Sequence, residues 1–140
     1  MNLDKIRLVA EVSANHCQDL NLAKKIILTA KNNKADAIKI QTYTADTMTI
    51  KNNNKYFKIS NGLWKGYNLW DLYNAAKTPF EWHKELFDYC KKIKIPIFST
   101  PFDETAVDLL EDLNCPVYKV ASFEMTDLPL IKKISKTNKP

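Results

Sequence analysis

Residues 37–41, with the sequence AIKIQ, decide how the chain folds, because they form an apolar strand with a lysine at its centre. The sequence VYKVA at residues 117–121 repeats this pattern. Lysine is seldom buried without a partner, since taking water from an ammonium group costs several kcal/mol. The two lysines, Lys39 and Lys119, therefore predict an anion-binding site at one end of a parallel sheet, and an enzyme for a phosphorylated or carboxylated substrate. The alternative is that each lysine extends to solvent at the rim.

Outward from these strands, strand and helix patterns alternate four times. Strands are predicted at residues 7–13, 36–41, 95–100 and 116–121, each followed by a helical pattern. This order predicts a parallel sheet with right-handed crossovers, either doubly wound or half of a barrel. No glycine follows the first strand, so the dinucleotide-binding fingerprint is missing. Polar residues end all four strands, and a barrel gathers such ends at one mouth. We expect an α/β fold that is the first half (four βα units) of a TIM (β/α)8 barrel.

Local signals place the helix starts and one long interruption. Asp19 and Asp103 are predicted to cap helices, and residues 78–81 (TPFE) match a capping box with proline in the first turn. Residues 42–76 contain both glycines and are too long for an ordinary connection. We expect a functional excursion there, closed by a short helix at residues 69–76.

Composition limits the class of protein. The 140 residues are 45% hydrophobic, which is typical of one globular domain. The net charge of +5 comes without a basic-aromatic motif, so no nucleic-acid partner is expected. No apolar run is long enough to span a membrane and no signal pattern precedes the first strand, which predicts a cytoplasmic protein with no membrane partner. The three cysteines are far apart, which predicts reduced thiols.

The first two strands contribute three polar candidates. Lys39 and Gln41 are two residues apart, so their side chains share one face of the strand, which in a barrel is the lumen. Glu11 lies in the first strand and must either act chemically or pair, and its structural alternative is a salt bridge to Lys39 or Lys119. His16, in the loop beyond, is a candidate acid, ligand or loop-stabilising group, with loop packing favoured. His83 is expected to be a packing or surface residue.

The last two strands supply the other candidates. Lys119, Ser122 and Glu124 bring a cation, a hydroxyl and a carboxylate to one strand end. Glu124 is a candidate for moving a proton, and its alternative role is to cap the next helix. Thr100, in the sequence STPF at residues 99–102, either holds a ligand oxygen or satisfies the turn.

Four motifs together resemble the sialic acid synthase family over residues 8–140. They are AEVSANH at 10–16, KIQT at 39–42, STPFD at 99–103 and YKVASFE at 118–124. Within the family, residues 41–47, residues 63–83 and the sequence SFE at 122–124 are most similar to the pseudaminic acid synthases. One departure is Cys17, which stands where the family usually has asparagine.

The resemblance implies condensation of phosphoenolpyruvate with an open-chain acetamido-deoxy hexose, giving a nonulosonic acid (pseudaminic acid) and phosphate. It implies a divalent metal such as Mn²⁺ acting as Lewis acid, with its ligands outside these residues, and a homodimer of the full-length enzyme. The excursion would contact the sugar or the partner subunit. Carried over by motif, the implied catalytic residues are Glu124 and Glu11, and the implied substrate-binding residues are Lys39, Gln41, Thr100, Lys119 and Ser122.

The resemblance also predicts how much of the enzyme residues 1–140 represent. Residues 1–140 would be the N-terminal part of the barrel, with the metal-binding histidines, the other half and a C-terminal antifreeze-like domain absent. We therefore expect these 140 residues alone to be inactive. The alternatives are an N-acetylneuraminate or legionaminate synthase, a non-catalytic barrel remnant that binds an anion or a partner, and another phosphoenolpyruvate-using barrel aldolase.

Overall fold

A computed structural model describes residues 7–140 as helices packed against one face of a parallel sheet. The sheet order is β1-β2-β3. Its strands are β1 (Val9–Glu11), β2 (Ala37–Thr42) and β3 (Ile97–Pro101). The helices are α1 (Leu20–Asn32), α2 (Ala45–Met48), α3 (Leu69–Ala76), α4 (Phe80–Ile93), α5 (Glu104–Asp112) and α6 (Leu128–Ser135). The first three predicted strands and the alternation with helices are confirmed, although β1 is shorter than residues 7–13.

The fourth predicted strand, residues 116–121, is reduced to a single parallel bridge between Ser99 and Tyr118. The Lys119 amide donates to the Ser99 carbonyl at 3.2 Å, and the Tyr118 amide donates to the Pro140 carbonyl at 3.0 Å. Pro116 has no amide hydrogen to extend the ladder. The prediction of a complete fourth strand is therefore corrected, while its position next to β3 holds.

Helix starts follow their capping side chains in most places. The Asp19 carboxylate accepts from the backbone amides of Asn21 and Leu22, and that of Asp103 accepts from the amide of Ala106. Both predicted caps are confirmed. The predicted capping box at residues 78–81 is wrong, because Pro79 occupies the cap position of α4 and no side chain bonds the helix end.

The two faces of β2 differ in what covers them. Ile38, Ile40 and Thr42 alternate along one face and are buried beneath the helices, where the two isoleucines join the hydrophobic core with Ile27 of α1 and Leu86 of α4. Lys39 and the other odd-numbered residues point the opposite way and are only partly buried. We call this opposite side the open face, and it carries the polar strand residues.

The excursion at residues 42–76 is more ordered than expected. It contains α2, a single 3-10 turn at Lys55–Phe57, an antiparallel bridge from Lys58 to Asn68, and α3 at the predicted residues. Two side chains tie the excursion to the rest of the protein: the Thr47 hydroxyl donates to Asp103 at 2.5 Å, and the Gln18 amide donates to the carbonyls of Ala75 and Lys77. Across residues 7–140, every helix is too short or too polar to cross a membrane.

Candidate active site at the carboxyl ends of the strands

Strand register brings the predicted site residues onto the open face. Glu11 of β1 lies beside Lys39 of β2, and Gln41 lies beside Thr100 of β3. The bridge through Ser99 and Tyr118 turns the next residue, Lys119, to the same face. The residues predicted from separate strands therefore share one surface.

Lys39 and Glu11 form an ion pair on this face. The Lys39 side chain is 14% exposed and that of Glu11 is 37% exposed. Burial, and then the positive charge of Lys119, lower the pKa of the Lys39 ammonium. The two ammonium groups therefore act on each other across the open face, and the one paired carboxylate leaves an excess of positive charge. Of the two partners considered for Glu11, the structure selects Lys39.

Gln41 is held in place by Ser13, a contact that the sequence did not predict. The Ser13 hydroxyl donates to the Gln41 side-chain oxygen at 3.2 Å, and the Ser13 amide donates to the Glu11 carboxylate at 3.3 Å. The backbone of Ser13 has a positive φ of 47° at this point. Nothing about a serine at the end of a strand predicts that conformation.

Two side-chain oxygens at the site are buried without a partner among residues 7–140. They are Thr100 Oγ1 and Glu124 Oε2. A buried polar atom that makes no hydrogen bond costs free energy, so such atoms require an explanation. Two acceptor-capable oxygens beside two lysines fit a site that a polar ligand completes.

Glu124 lies in a 3-10 turn, Ser122–Thr126, just beyond Lys119. Burial raises the pKa of Glu124, the charge of Asp127 acts in the same direction, and Lys119 opposes it. The alternative role of Glu124 as a helix cap is wrong, because the Asp127 side chain caps α6. Ser122 is exposed at the start of this turn, and Lys119 is also exposed.

Both histidines are buried. His16 is fully buried, its Nδ1 accepts from the Gln18 amide at 3.1 Å, and its ring packs edge-on against Trp82. Burial lowers its pKa. The favoured prediction, loop packing, is confirmed for His16. His83 is likewise buried and packs inside the protein, so the surface alternative for His83 is wrong.

Sequence reasoning missed a buried polar chain on the helix side of the sheet. His83 Nε2 lies 2.8 Å from Thr42 Oγ1, which lies 2.6 Å from Ser99 Oγ. Ser99 belongs to the STPF motif at residues 99–102, but its side chain points away from the open face. The signal was present in the alternation of β2, since Thr42 shares the face of Ile38 and Ile40.

Within the described residues, no group of three or more His, Cys, Asp or Glu side chains could hold a metal ion. Of the two carboxylates of the site, Glu11 is already paired with Lys39. The arrangement is suited to binding an anion and to transferring a proton.

Known proteins similar to this chain point to one family. The NeuB family matches residues 26–140. The chain is 52% identical over 134 residues to pseudaminic acid synthase of Helicobacter pylori, covering 96% of this chain and 39% of that protein. It is 43% identical to the pseudaminic acid synthase of Campylobacter jejuni, covering 97% of this chain and 40% of that protein.

A solved structure of a sialic acid synthetase has a similar fold. The N-acetylneuraminic acid synthetase from Leptospira borgpetersenii, in complex with citrate, superimposes with a TM-score of 0.80 at 26% identity, covering 97% of this chain and 43% of that one. The chain thus spans about two fifths of the length of the curated relatives that it matches. On the family match and these identities, the chain belongs to the NeuB family.

Proposed function

We propose that the open face binds phosphoenolpyruvate in an enzyme that condenses it with an open-chain acetamido-deoxy hexose, forming pseudaminic acid and phosphate. The observation that carries this proposal is the shared face of Lys39 and Lys119 beside the unpartnered oxygens of Thr100 and Glu124. The relatives support nonulosonic acid synthesis in general, since they include pseudaminic and legionaminic acid synthases.

Phosphoenolpyruvate carries a phosphate and a carboxylate, and the open face offers groups for both. The two lysines supply point charges, and the Gln41 amide nitrogen and the hydroxyls of Thr100 and Ser122 supply hydrogen bonds. Burial lowers the pKa of Lys39 and repulsion from Lys119 lowers it further, and an anion between the two ammonium groups would relieve that repulsion. Binding is therefore expected to raise that pKa again.

Glu124 is proposed to be the residue that transfers a proton in this reaction. A carboxyl with a raised pKa holds its proton closer to neutral pH, which suits a general acid. In the proposed reaction, C3 of phosphoenolpyruvate attacks the sugar aldehyde, water adds at C2, and phosphate leaves from the tetrahedral intermediate. Polarising the aldehyde is the chemistry that a divalent metal such as Mn²⁺ supplies when bound, with its ligands outside this part of the chain. Glu11 orients Lys39 through their ion pair.

The three-stranded sheet, with the segment bridged to β3, is proposed to be part of a TIM (β/α)8 barrel that further strands complete. Two features support this. The β1 side of the sheet is exposed, with Leu8 60% and Val9 45% accessible, and an apolar groove runs along α1 past Leu22, Ile26 and Ala30. An unpaired, apolar sheet edge is typical of a surface that another element covers. The homodimer, the sugar contacts of the excursion and the cytoplasmic location stay predictions.

The direct test of binding is calorimetry with phosphoenolpyruvate. We expect Lys119→Met to weaken binding about tenfold or more, because one charge-assisted contact is worth roughly 1.5–3 kcal/mol. Lys136→Met, an exposed lysine at the end of α6, is the matched control and should bind like the wild type. Equal affinity of the two variants would contradict the assignment of the site.

Turnover is tested by phosphate release with phosphoenolpyruvate, Mn²⁺ and a series of acetamido sugars. These 140 residues alone are expected to release none, because residues 7–140 contain no metal-ligand cluster. Robust turnover by a monomer would contradict that prediction.

A legionaminate synthase is the second candidate, since the legionaminic acid synthase of Campylobacter jejuni is 36% identical over 138 residues. Comparing turnover of the alternative sugars by an active form of the protein separates the two candidates.

A further inference from the structure

A buried chain of three side chains lies on the helix side of the sheet, opposite the proposed anion site. Its members, His83, Thr42 and Ser99, are each at most 1% exposed. His83 Nδ1 lies 3.0 Å from the Pro79 carbonyl oxygen, and Ser99 Oγ lies 3.2 Å from the Ile40 carbonyl oxygen. With the two contacts between them, the three side chains link the first turn of α4 to β2 and β3. The proposed reaction does not use them.

The Pro79 carbonyl fixes the first hydrogen bond of this series. A carbonyl oxygen only accepts, so His83 Nδ1 carries a hydrogen and donates to Pro79. Burial lowers the pKa of His83, which favours the neutral ring with Nε2 as an acceptor. Thr42 then donates to His83 Nε2. The single hydroxyl hydrogen of Ser99 is directed either to Thr42 Oγ1 or to the Ile40 carbonyl oxygen.

The three hydrogen-bonded side chains lie directly behind the site residues. The Ser99 carbonyl accepts from the Lys119 amide at 3.2 Å, and the Thr42 carbonyl accepts from the Phe102 amide at 3.2 Å. Their sequence neighbours Gln41 and Thr100 pair with each other on the open face. A shift of Thr42 or Ser99 would therefore move three groups of the proposed anion site together.

We infer that His83 is a positioning residue, which acts through Thr42 and Ser99 to fix the carboxyl ends of β2 and β3 and so the placement of Gln41, Thr100 and Lys119. The identity of the anion rests on the proposed function, but the positioning does not. The inference gives this histidine a role in site geometry beyond filling space in the core.

Amide hydrogen exchange tests the positioning without any ligand. Thr42→Val removes the linking hydroxyl with little change in shape. We expect the Phe102 and Lys119 amides to exchange about fivefold faster, because a lost buried hydrogen bond is worth about 1 kcal/mol. The Ile38 amide, which donates to the Pro96 carbonyl at the other end of β2, should be unchanged.

Two further variants separate positioning from loss of stability. Thr42→Ser keeps the hydroxyl and should restore the exchange of both amides. Thr78→Val makes the same change at a buried threonine that is not one of the three hydrogen-bonded side chains, and it should leave the Phe102 and Lys119 amides protected. A uniform increase in exchange that includes Ile38, or Thr42→Ser behaving like Thr42→Val, would overturn the inference.

Phosphoenolpyruvate calorimetry on the same variants links the positioning to binding. Thr42→Val should weaken binding about fivefold, in proportion to the faster exchange. If the wild type binds no phosphoenolpyruvate while the exchange pattern is as expected, the proposed function fails and the positioning role stands. If Thr42→Val binds as the wild type does, the positioning role fails and the proposed function stands.

Discussion

Replacing Lys39 with methionine separates the role of this residue in binding from its role in folding. Its ammonium group is paired with Glu11 and repelled by Lys119, and burial disfavours its charge. Lys39→Met keeps the length and the apolar stem of the side chain while it removes the charge. If Lys39 mainly stabilises the fold, the variant should have a lower free energy of unfolding. If Lys39 binds the anion, the variant should have a lower affinity for it.

The stability change is expected to be small. Ion pairs with access to solvent contribute about 0–1 kcal/mol, and Glu11 keeps enough exposure to be solvated when its partner is removed. The repulsion from Lys119 is also relieved. We therefore expect the free energy of unfolding of Lys39→Met to lie within about 1 kcal/mol of the wild-type value.

The loss of affinity is expected to be much larger. A hydrogen bond to a charged group is worth roughly 1.5–3 kcal/mol, which corresponds to about 10- to 150-fold in the dissociation constant. Urea unfolding followed by tryptophan fluorescence measures the stability, and calorimetry with phosphoenolpyruvate at low and high salt measures the affinity. A variant that unfolds more easily by about 3 kcal/mol yet binds normally would refute the reasoning.

Three other predictions use the perturbed groups. The pKa of Glu124 is raised in the folded chain, so its contribution to stability is present at low pH and is lost as the pH rises through that pKa. Glu124→Gln should therefore raise the free energy of urea unfolding at pH 7 relative to its value at pH 4. A pH dependence of unfolding that is the same in the variant and the wild type would contradict this. The lowered pKa of His83 has the opposite sign, so stability is lost as pH falls below about 6.5, and His83→Gln should flatten that loss in the same measurement. A thiol reagent should label the folded chain only at the exposed Cys17 and should react with Cys90 and Cys115 after unfolding. Those two thiols are buried, and burial raises their pKa values, that of Cys90 to about 12. Fast labelling of all three thiols in the folded chain would show that the core is not formed.

The parts of the fold that local chemistry controls were predictable. Asp19 and Asp103 cap helices because a carboxylate satisfies exposed amides within three residues of itself. Lys39 and Gln41 share a face because side chains alternate along a strand. The capping box at residues 78–81 failed, because proline at the cap position replaced the side-chain cap with a rigid backbone turn.

The parts that depend on contacts between distant residues were not predictable. Ser13 donates to Gln41, which is 28 residues away in the sequence, and the backbone of Ser13 adopts a positive φ. Ser99 and Thr42 meet His83 only when β2, β3 and α4 are packed together. The fourth strand was predicted from its own sequence, but Pro116 offers no amide hydrogen, and a single bridge between Ser99 and Tyr118 joins the segment to β3.

The central claim is that Lys39 and Lys119 share one anion. NMR titration of the Lys39 ammonium group measures this most directly, in the wild type, in Lys119→Met, and in the wild type saturated with phosphoenolpyruvate. We predict that the pKa of Lys39 rises in both altered states, because the first removes a neighbouring positive charge and the second neutralises it. A Lys39 pKa that is the same in all three states would contradict the account.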